Sequence, residues 1–206
     1  MPIRTIRHPL AQHYLTHLRD ETTSHALFRT LARKLSVLLA LEATRELKTT
    51  LRKIKTPLEE INSPVLDEEL VIIPILRSGL GMLEPIVDLF PKISVGYIGL
   101  ERDEATAVAS SYYRKLPDLK GKTVLLVDPM LATGGSANRA LADIFENGAA
   151  KVLLLCIVAA PEGVAVVEKA FPKVQIYTAS VDRELNANKY IMPGLGDFGD
   201  RLYGTH

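Results

Sequence analysis

Val124-Leu125-Leu126-Val127-Asp128-Pro129-Met130-Leu131-Ala132-Thr133-Gly134-Gly135-Ser136 is the stretch that decides how this chain folds. An apolar run ends in an acidic residue, and a glycine-rich turn then opens a helix. The run from Thr123 to Val127 is short and β-branched at both ends, so it reads as a buried parallel strand. Downstream, Ala137, Ala140, Leu141, Ile144 and Phe145 recur at helical spacing, and Gly148 sits where a C-terminal cap belongs. Thr133-Gly134-Gly135-Ser136 therefore joins a strand end to a helix start. Unpaired backbone N–H groups point outward at such a junction, and the helix dipole favours an anion. Glycine lets the backbone come close to a phosphate, and Thr133 and Ser136 add hydroxyl donors. Asp128 falls at the carboxyl end of the strand, where open α/β sheets place ligand-binding groups. A carboxylate repels a phosphate, but it can accept hydrogen bonds from the hydroxyls of a neighbouring sugar. Loop and carboxylate together read as a sugar-phosphate site; the plainer alternative is a strand-to-helix turn with no ligand.

The alternation continues on both sides. Residues 71–76 read as a buried strand, 80–90 as a helix, 92–100 as a second strand and 123–128 as a third. Residues 151–158 form a fourth strand, Pro161 suits the first turn of a helix to residue 170, and residues 173–179 form a fifth strand. This pattern predicts an α/β fold, a parallel core sheet flanked by helices on both faces. Before it, residues 10–18 predict a short helix. Thr22, Thr23 and Ser24 offer caps for a longer one, in which Leu27, Phe28, Leu31, Leu35, Leu38, Leu39 and Ala43 recur through about Glu46. That wide stripe needs a large surface, either this sheet or another subunit. Residues 49–56 alternate weakly and predict an edge strand. Residues 101–119, polar and then marked by Tyr112-Tyr113, predict a hairpin arm. After Asp182 there is much glycine and little periodicity. No repeat, low-complexity tract or linker interrupts the chain, so residues 1–206 are expected to form a single domain.

Composition sets bounds. A chain of 206 residues can bury about 70% of its unfolded surface. A net charge of +1 gives no electrostatic reason for a nucleic-acid or membrane-surface partner. Apolar content of 47% against 24% charged is that of an ordinary globular protein. The lone Cys156 lies within an apolar run and reads as a buried small hydrophobe in a reducing compartment. The first twenty residues carry charge throughout, unlike a signal peptide, and no run reaches the ~18 apolar residues of a membrane span. The expectation is cytoplasmic. His13 and His17 stand four apart on a predicted helix, but no third ligand is evident and a solvated face explains them. No GxxxxGK[ST] loop or GxSxG elbow is present.

Ile73-Pro74-Ile75-Leu76-Arg77-Ser78-Gly79-Leu80-Gly81 is a second strand–loop–helix junction. The guanidinium fork of Arg77 suits a phosphate, though a helix cap with one surface arginine explains it too. Two anion sites on one sheet edge suit a substrate with phosphates at both ends. The tail segment at residues 185–201 packs three glycines, two aspartates and a proline into eight residues, 193–200. Such a loop exposes backbone groups able to read a flat base edge, with Tyr190 or Phe198 available to flank the ring. Composition does not separate this from a structural loop.

These motifs resemble the type I phosphoribosyltransferases. Asp128 to Ser136 reads DPMLATGGS, similar to the phosphoribosyl-pyrophosphate (PRPP) motif of the uracil phosphoribosyltransferase branch, in which a proline follows the single aspartate. Tyr190-Ile191-Met192-Pro193-Gly194-Leu195-Gly196-Asp197 resembles that family's uracil loop, with Lys189 standing where glycine is usual. Gly99-Leu100-Glu101-Arg102-Asp103 resembles the start of its mobile arm. The likeness covers nearly the whole chain, from His8-Pro9-Leu10 onward.

The resemblance implies transfer of phosphoribose from PRPP to uracil, giving UMP and pyrophosphate in pyrimidine salvage. The implied catalytic residues are Asp128, Arg77 and Arg102. The implied PRPP contacts are Arg77, Arg102, Asp128, Pro129, Met130, Leu131, Ala132, Thr133, Gly134, Gly135, Ser136 and Asp197. The implied uracil contacts are Ile191, Gly196, Asp197 and Phe198, the last through its backbone. Arm (about 99–119) and tail (about 182–201) would form a small hood. Mg²⁺ would be held mainly by the substrate, with no protein metal site. A homodimer or higher oligomer and, as in some members, a response to GTP are also implied. The alternatives are a nucleotide-sensing, RNA-binding regulator on the same fold, against which the near-neutral charge argues, and a transferase for another base.

Overall fold

A computed structural model describes residues 3–102 and 109–205; of Arg102 and residues 109–111 it describes the backbone alone. The chain opens with β1 (Ile3–Thr5), α1 (Pro9–Arg19), α2 (His25–Ala43), β2 (Thr49–Lys55) and β3 (Glu60–Leu66). Next come β4 (Leu70–Leu76), α3 (Leu80–Leu89), β5 (Ser94–Val95), β6 (Tyr97–Arg102) and β7 (Ala109–Lys115). The centre holds β8 (Thr123–Val127), β9 (Met130–Leu131) and α4 (Gly135–Glu146). The last part holds β10 (Lys151–Ala159), α5 (Pro161–Ala170), β11 (Gln175–Val181), β12 (Glu184–Leu185), β13 (Ile191–Met192) and α6 (Phe198–Tyr203).

Among the described residues, nine strands join one sheet in the order β1-β11-β10-β8-β4-β6-β7, with β5 on β4 and β9 on β10. Its pairings are parallel except that of β6 with β7. The strands read as unbroken apolar runs because helices cover both faces. In β8, Leu125 and Val127 face the side covered by α1, α2, α3 and α6, while Val124 and Leu126 face α4 and α5. β10 repeats this two-residue period, with Leu153, Leu155 and Ile157 on the first face and Val152, Leu154 and Cys156 on the second. Burial pushes the Cys156 thiol up to about 12 against the hydrogen bond from Thr178, so it packs as a hydrophobe.

The helices begin where their caps predict. Ser24 Oγ accepts from the Leu27 amide at 3.4 Å and starts α2. Gly148 takes a positive φ of 87° just past α4. Three expectations shift, and β1 was not foreseen. α2 stops at Ala43, short of Glu46. The strand expected over residues 92–100 is broken at Gly96, whose amide donates to the Ile72 carbonyl at 2.9 Å, and resumes as β6. β2 is not an edge of the main sheet: it pairs with β3 in a separate antiparallel hairpin, exposed along its whole length. β1, three residues long and too short for any periodicity, pairs parallel with β11. In the described part of the expected arm, β7 runs antiparallel to β6. No helix of the described residues is long and apolar enough to cross a membrane.

Candidate active site

β4 and β8 are neighbours in parallel register, from Leu70 opposite Thr123 to Pro74 opposite Val127. The loops that follow them therefore emerge side by side at one sheet edge. Ser78 Oγ donates to Asp128 Oδ1 at 3.2 Å and joins the two. The first loop is pressed against the sheet at Gly79, where a Cβ would lie 2.6 Å from the Val127 carbonyl oxygen and 2.7 Å from that of Ile75. The Leu76–Arg77 peptide is cis. Asp128 is half-buried, and its amide donates to the Leu155 carbonyl at 3.1 Å. Burial pushes its carboxyl up to about 7, opposed by the hydrogen bonds from Ser78 and from the Met130 amide.

The second loop is fixed to β10. The Pro129 carbonyl accepts from the Ile157 and Val158 amides at 2.9 and 3.1 Å, and the Leu131 carbonyl from Ala160 at 2.8 Å. Pro129 and Leu131 are buried by this docking, while Met130 and Ala132 reach the cleft. Gly134, at φ 80°, caps the start of α4. A Cβ there would lie 2.9 Å from the Gly163 carbonyl oxygen and 3.1 Å from Val166, both in α5. Glycine at 134 is thus required by backbone conformation and by helix packing. Gly135, by contrast, is open, its nearest neighbour being Thr133 Oγ1 at 3.7 Å. Ser136 lines the cleft at the first turn of α4, where the leading N–H groups stand outside the helical ladder.

The tail folds back over both loops. β12 and β13 form a small antiparallel hairpin whose turn is organised by Asn186: its Oδ1 accepts from the Asn188 and Tyr190 amides, each at 2.9 Å. Lys189 occupies the left-handed region in that turn, at φ 65°. Asp182 is buried at the root of the hairpin. Arg19 donates to its two oxygens at 2.5 and 2.7 Å, Ser180 Oγ at 2.7 Å and the Gly194 amide at 2.9 Å. Burial raises the Asp182 pKa, but Arg19 and Ser180 outweigh it and hold the carboxyl below the usual range. Farther on, Arg201 lies over the Phe28 ring at 4.5 Å and donates to the carbonyls of Leu195 at 2.8 Å and Asp20 at 2.6 Å. Asp197 Oδ1 accepts from the Asp200 amide and caps α6.

Sheet edge and tail enclose a cleft of about 440 Å³. Of the residues predicted from sequence, Asp128, Met130, Ala132, Ser136, Ile191, Gly196, Asp197 and Phe198 line it together. Pro129, Leu131, Thr133, Gly134 and Gly135 stand in the same loop without lining it. Arg77 is exposed at the rim, its carbonyl accepting from Tyr203 Oη at 3.4 Å. The side chain of Arg102 lies outside the described residues. Phe198 cannot flank a ligand ring, because its side chain is buried against Phe28 with ring centroids 5.2 Å apart. Tyr190, 49% exposed, stands at the wall. Ile75, Leu76, Ser78, Leu100, Asn188, Lys189 and Gly199 complete the lining; Ser78 falls in the Arg77–Gly79 segment, which resembles the family's pyrophosphate loop.

A parallel sheet with a phosphate-type loop and a carboxylate at adjacent strand ends is the architecture of the type I phosphoribosyltransferases. A hypoxanthine-guanine phosphoribosyltransferase from Bacillus anthracis shares this fold, with TM-score 0.52 and 13% identity over 77% of this chain and 80% of that one. Much nearer is the AQ2163 protein from Aquifex aeolicus, with TM-score 0.94 and 40% identity over 98% and 97% of the two chains. A uracil phosphoribosyltransferase from Alkaliphilus metalliredigens is 48% identical over 202 residues, 97% of each protein. The family model for uracil phosphoribosyltransferase matches residues 5–205. The chain belongs to the uracil phosphoribosyltransferase family.

Proposed function

We infer that this cleft is where the family's reaction takes place: uracil joins PRPP, giving UMP and pyrophosphate. The observation that carries the reading is the Ser78–Asp128 contact, which sets the two candidate phosphate loops edge to edge beneath the tail. The loop from Asp128 to Ser136 holds the 5-phosphate and so fixes the ribose, with Thr133 and Ser136 supplying hydroxyls. Arg77 from the rim, and Arg102 from the end of β6, take the pyrophosphate. Asp128 accepts from the ribose hydroxyls, and its negative charge favours the cationic ring that develops as the C1–pyrophosphate bond breaks. Backbone groups of Ile191, Gly196, Asp197 and Phe198 orient uracil N1 towards C1, and Asp197 also reaches PRPP. Such orientation is worth roughly 7–11 kcal/mol when fully realised.

Phosphoribosyltransferases use Mg²⁺ with PRPP. The likeness to that family supports an ion ligated mainly by substrate oxygens and water. When bound, it neutralises charge on the departing pyrophosphate. The family likeness further supports a homodimer or higher oligomer and a cytoplasmic enzyme without nucleic-acid or membrane partners. The exposed Leu51 and Leu58 of the β2–β3 hairpin favour self-association. Sedimentation across a concentration series tests this, a monomer at every concentration excluding it. GTP as an effector rests on the likeness alone; unchanged PRPP kinetics with GTP would remove it. The reaction itself is tested by pyrophosphate release from PRPP with uracil, orotate, hypoxanthine or adenine. Turnover with uracil alone is expected, and turnover confined to another base overturns the reading.

A further inference from the structure

We propose that Ser78 is a positioning residue for the transfer reaction, holding the Asp128 carboxylate charged and aimed into the cleft. The inference rests on the role given to Asp128 above. Three observations carry it. Ser78 Oγ lies 3.2 Å from Asp128 Oδ1, and both residues line the cleft. The position of Ser78 is fixed, because the next residue, Gly79, is wedged against the carbonyls of Val127 and Ile75. The two residues stand in the loops that follow different strands, β4 and β8, so the bond ties the pyrophosphate-side loop to the ribose-side loop. A hydroxyl donates better to a carboxylate than to a carboxylic acid, and this hydrogen bond favours the charged form that a cationic transition state needs.

The surroundings leave the carboxylate few other supports. The Met130 amide is the second donor, while burial pushes the other way, and Asp128 stands at about 7. Beneath it in β10 lies Cys156, a thiol pushed up to about 12 and so neutral. Across the cleft stand Lys189, Tyr190 and Asp197 from the tail, and Arg77 is at the rim. Loss of the Ser78 donor would tilt Asp128 further towards its uncharged form.

Two readouts test this on the full chain. One is the Asp128 carboxyl titration in the ligand-free protein, followed by isotope-edited infrared spectroscopy and assigned with Asp128→Asn. The other is the acid limb of kcat/KM for PRPP. Ser78→Ala should move both midpoints up by roughly one pH unit, a loss of about tenfold below the midpoint that fades in alkali. Ser78→Thr, which keeps the hydroxyl, should restore both. Identical Asp128 titrations in wild type and Ser78→Ala would overturn the proposal. So would a loss in Ser78→Ala that is equal at every pH, which is what a merely structural residue would give. A shifted titration with an unshifted kinetic limb would leave the Ser78–Asp128 coupling standing and remove instead the catalytic role of Asp128.

Discussion

Asp128 is caught between folding and catalysis. The fold favours its protonated form, with a pKa raised from 3.8 to about 7 chiefly by burial, whereas the reaction uses its charge. A raised carboxyl binds its proton more tightly in the folded state, so the stability it contributes falls as pH rises from about 4 to about 7. Asp128→Asn removes that fall. The variant should match wild type near pH 4 and melt higher at pH 8, with an upper bound of about 4 kcal/mol on the difference. Its kcat should drop by ~10²-fold or more, as for the loss of one preorganised electrostatic group. Thermal melts at the two pH values, with kcat on the folded variant, check both signs. Lys189 gives the opposite kind of test. A lysine at φ 65° carries a steric cost that glycine escapes, partly offset by the greater freedom of glycine when unfolded. Lys189→Gly should raise stability by up to about 1 kcal/mol, seen as a Tm higher by about 2–4 °C. The sequence had marked this position, since glycine is usual there. It had not marked the strictness of Gly134, whose neighbours in α5 are distant in sequence. Gly134→Val collides with α5 before it ever meets a phosphate.

The tail hairpin β12–β13 is secured by a small apolar contact, Leu185 opposite the buried Ile191, and by a set of polar ties. Arg19 at the end of α1 reaches both oxygens of Asp182 and also the Gly194 carbonyl, at 2.6 Å. Arg19→Ala leaves a buried carboxylate without its cation. It should cost about 3 kcal/mol in denaturant unfolding, the lower end of the range for a broken buried pair because Arg19 stays partly exposed. It should also raise KM for uracil more than KM for PRPP, since the loop it frees carries the base contacts. Because Asp182 is held below the usual carboxylate range, its contribution is complete above about pH 4 and is lost as pH falls through its folded value. This organisation explains what could be read in advance. β4, β8 and β10 were legible because helices on both faces demand unbroken apolar runs. β3 was not, because Asn62, Ser63 and Pro64 interrupt any alternation in a hairpin that buries neither face. The tail was legible only through its likeness to a family, because Asn186, Asp182 and backbone hydrogen bonds leave no periodic trace.

Across the chain, one sheet separates two cores and brings its chemistry to a single edge. The core on one side holds α1, α2, α3 and α6, and with it the tail; that on the other holds α4 and α5, and with them the phosphate loop. The reading of the base follows from the same division, since backbone groups of residues 191–198 can match a base edge without a side-chain base. Uracil presents a carbonyl and an N–H where cytosine presents an amino group and a bare nitrogen. Two mismatched buried groups cost roughly 2–6 kcal/mol, so kcat/KM for cytosine should be lower by ~10³-fold or more. 5-Fluorouracil, which keeps the edge, should be accepted. Steady-state kinetics with the three bases decide this. The most direct measurement is a crystal structure of the complex with UMP, which carries phosphate, ribose and base together. The phosphate should rest on the amides and hydroxyls of residues 133–136, the ribose hydroxyls on Asp128, and the uracil edge on backbone groups of residues 191–198. UMP bound elsewhere, or with its base turned away from the tail, would contradict this assignment of the site.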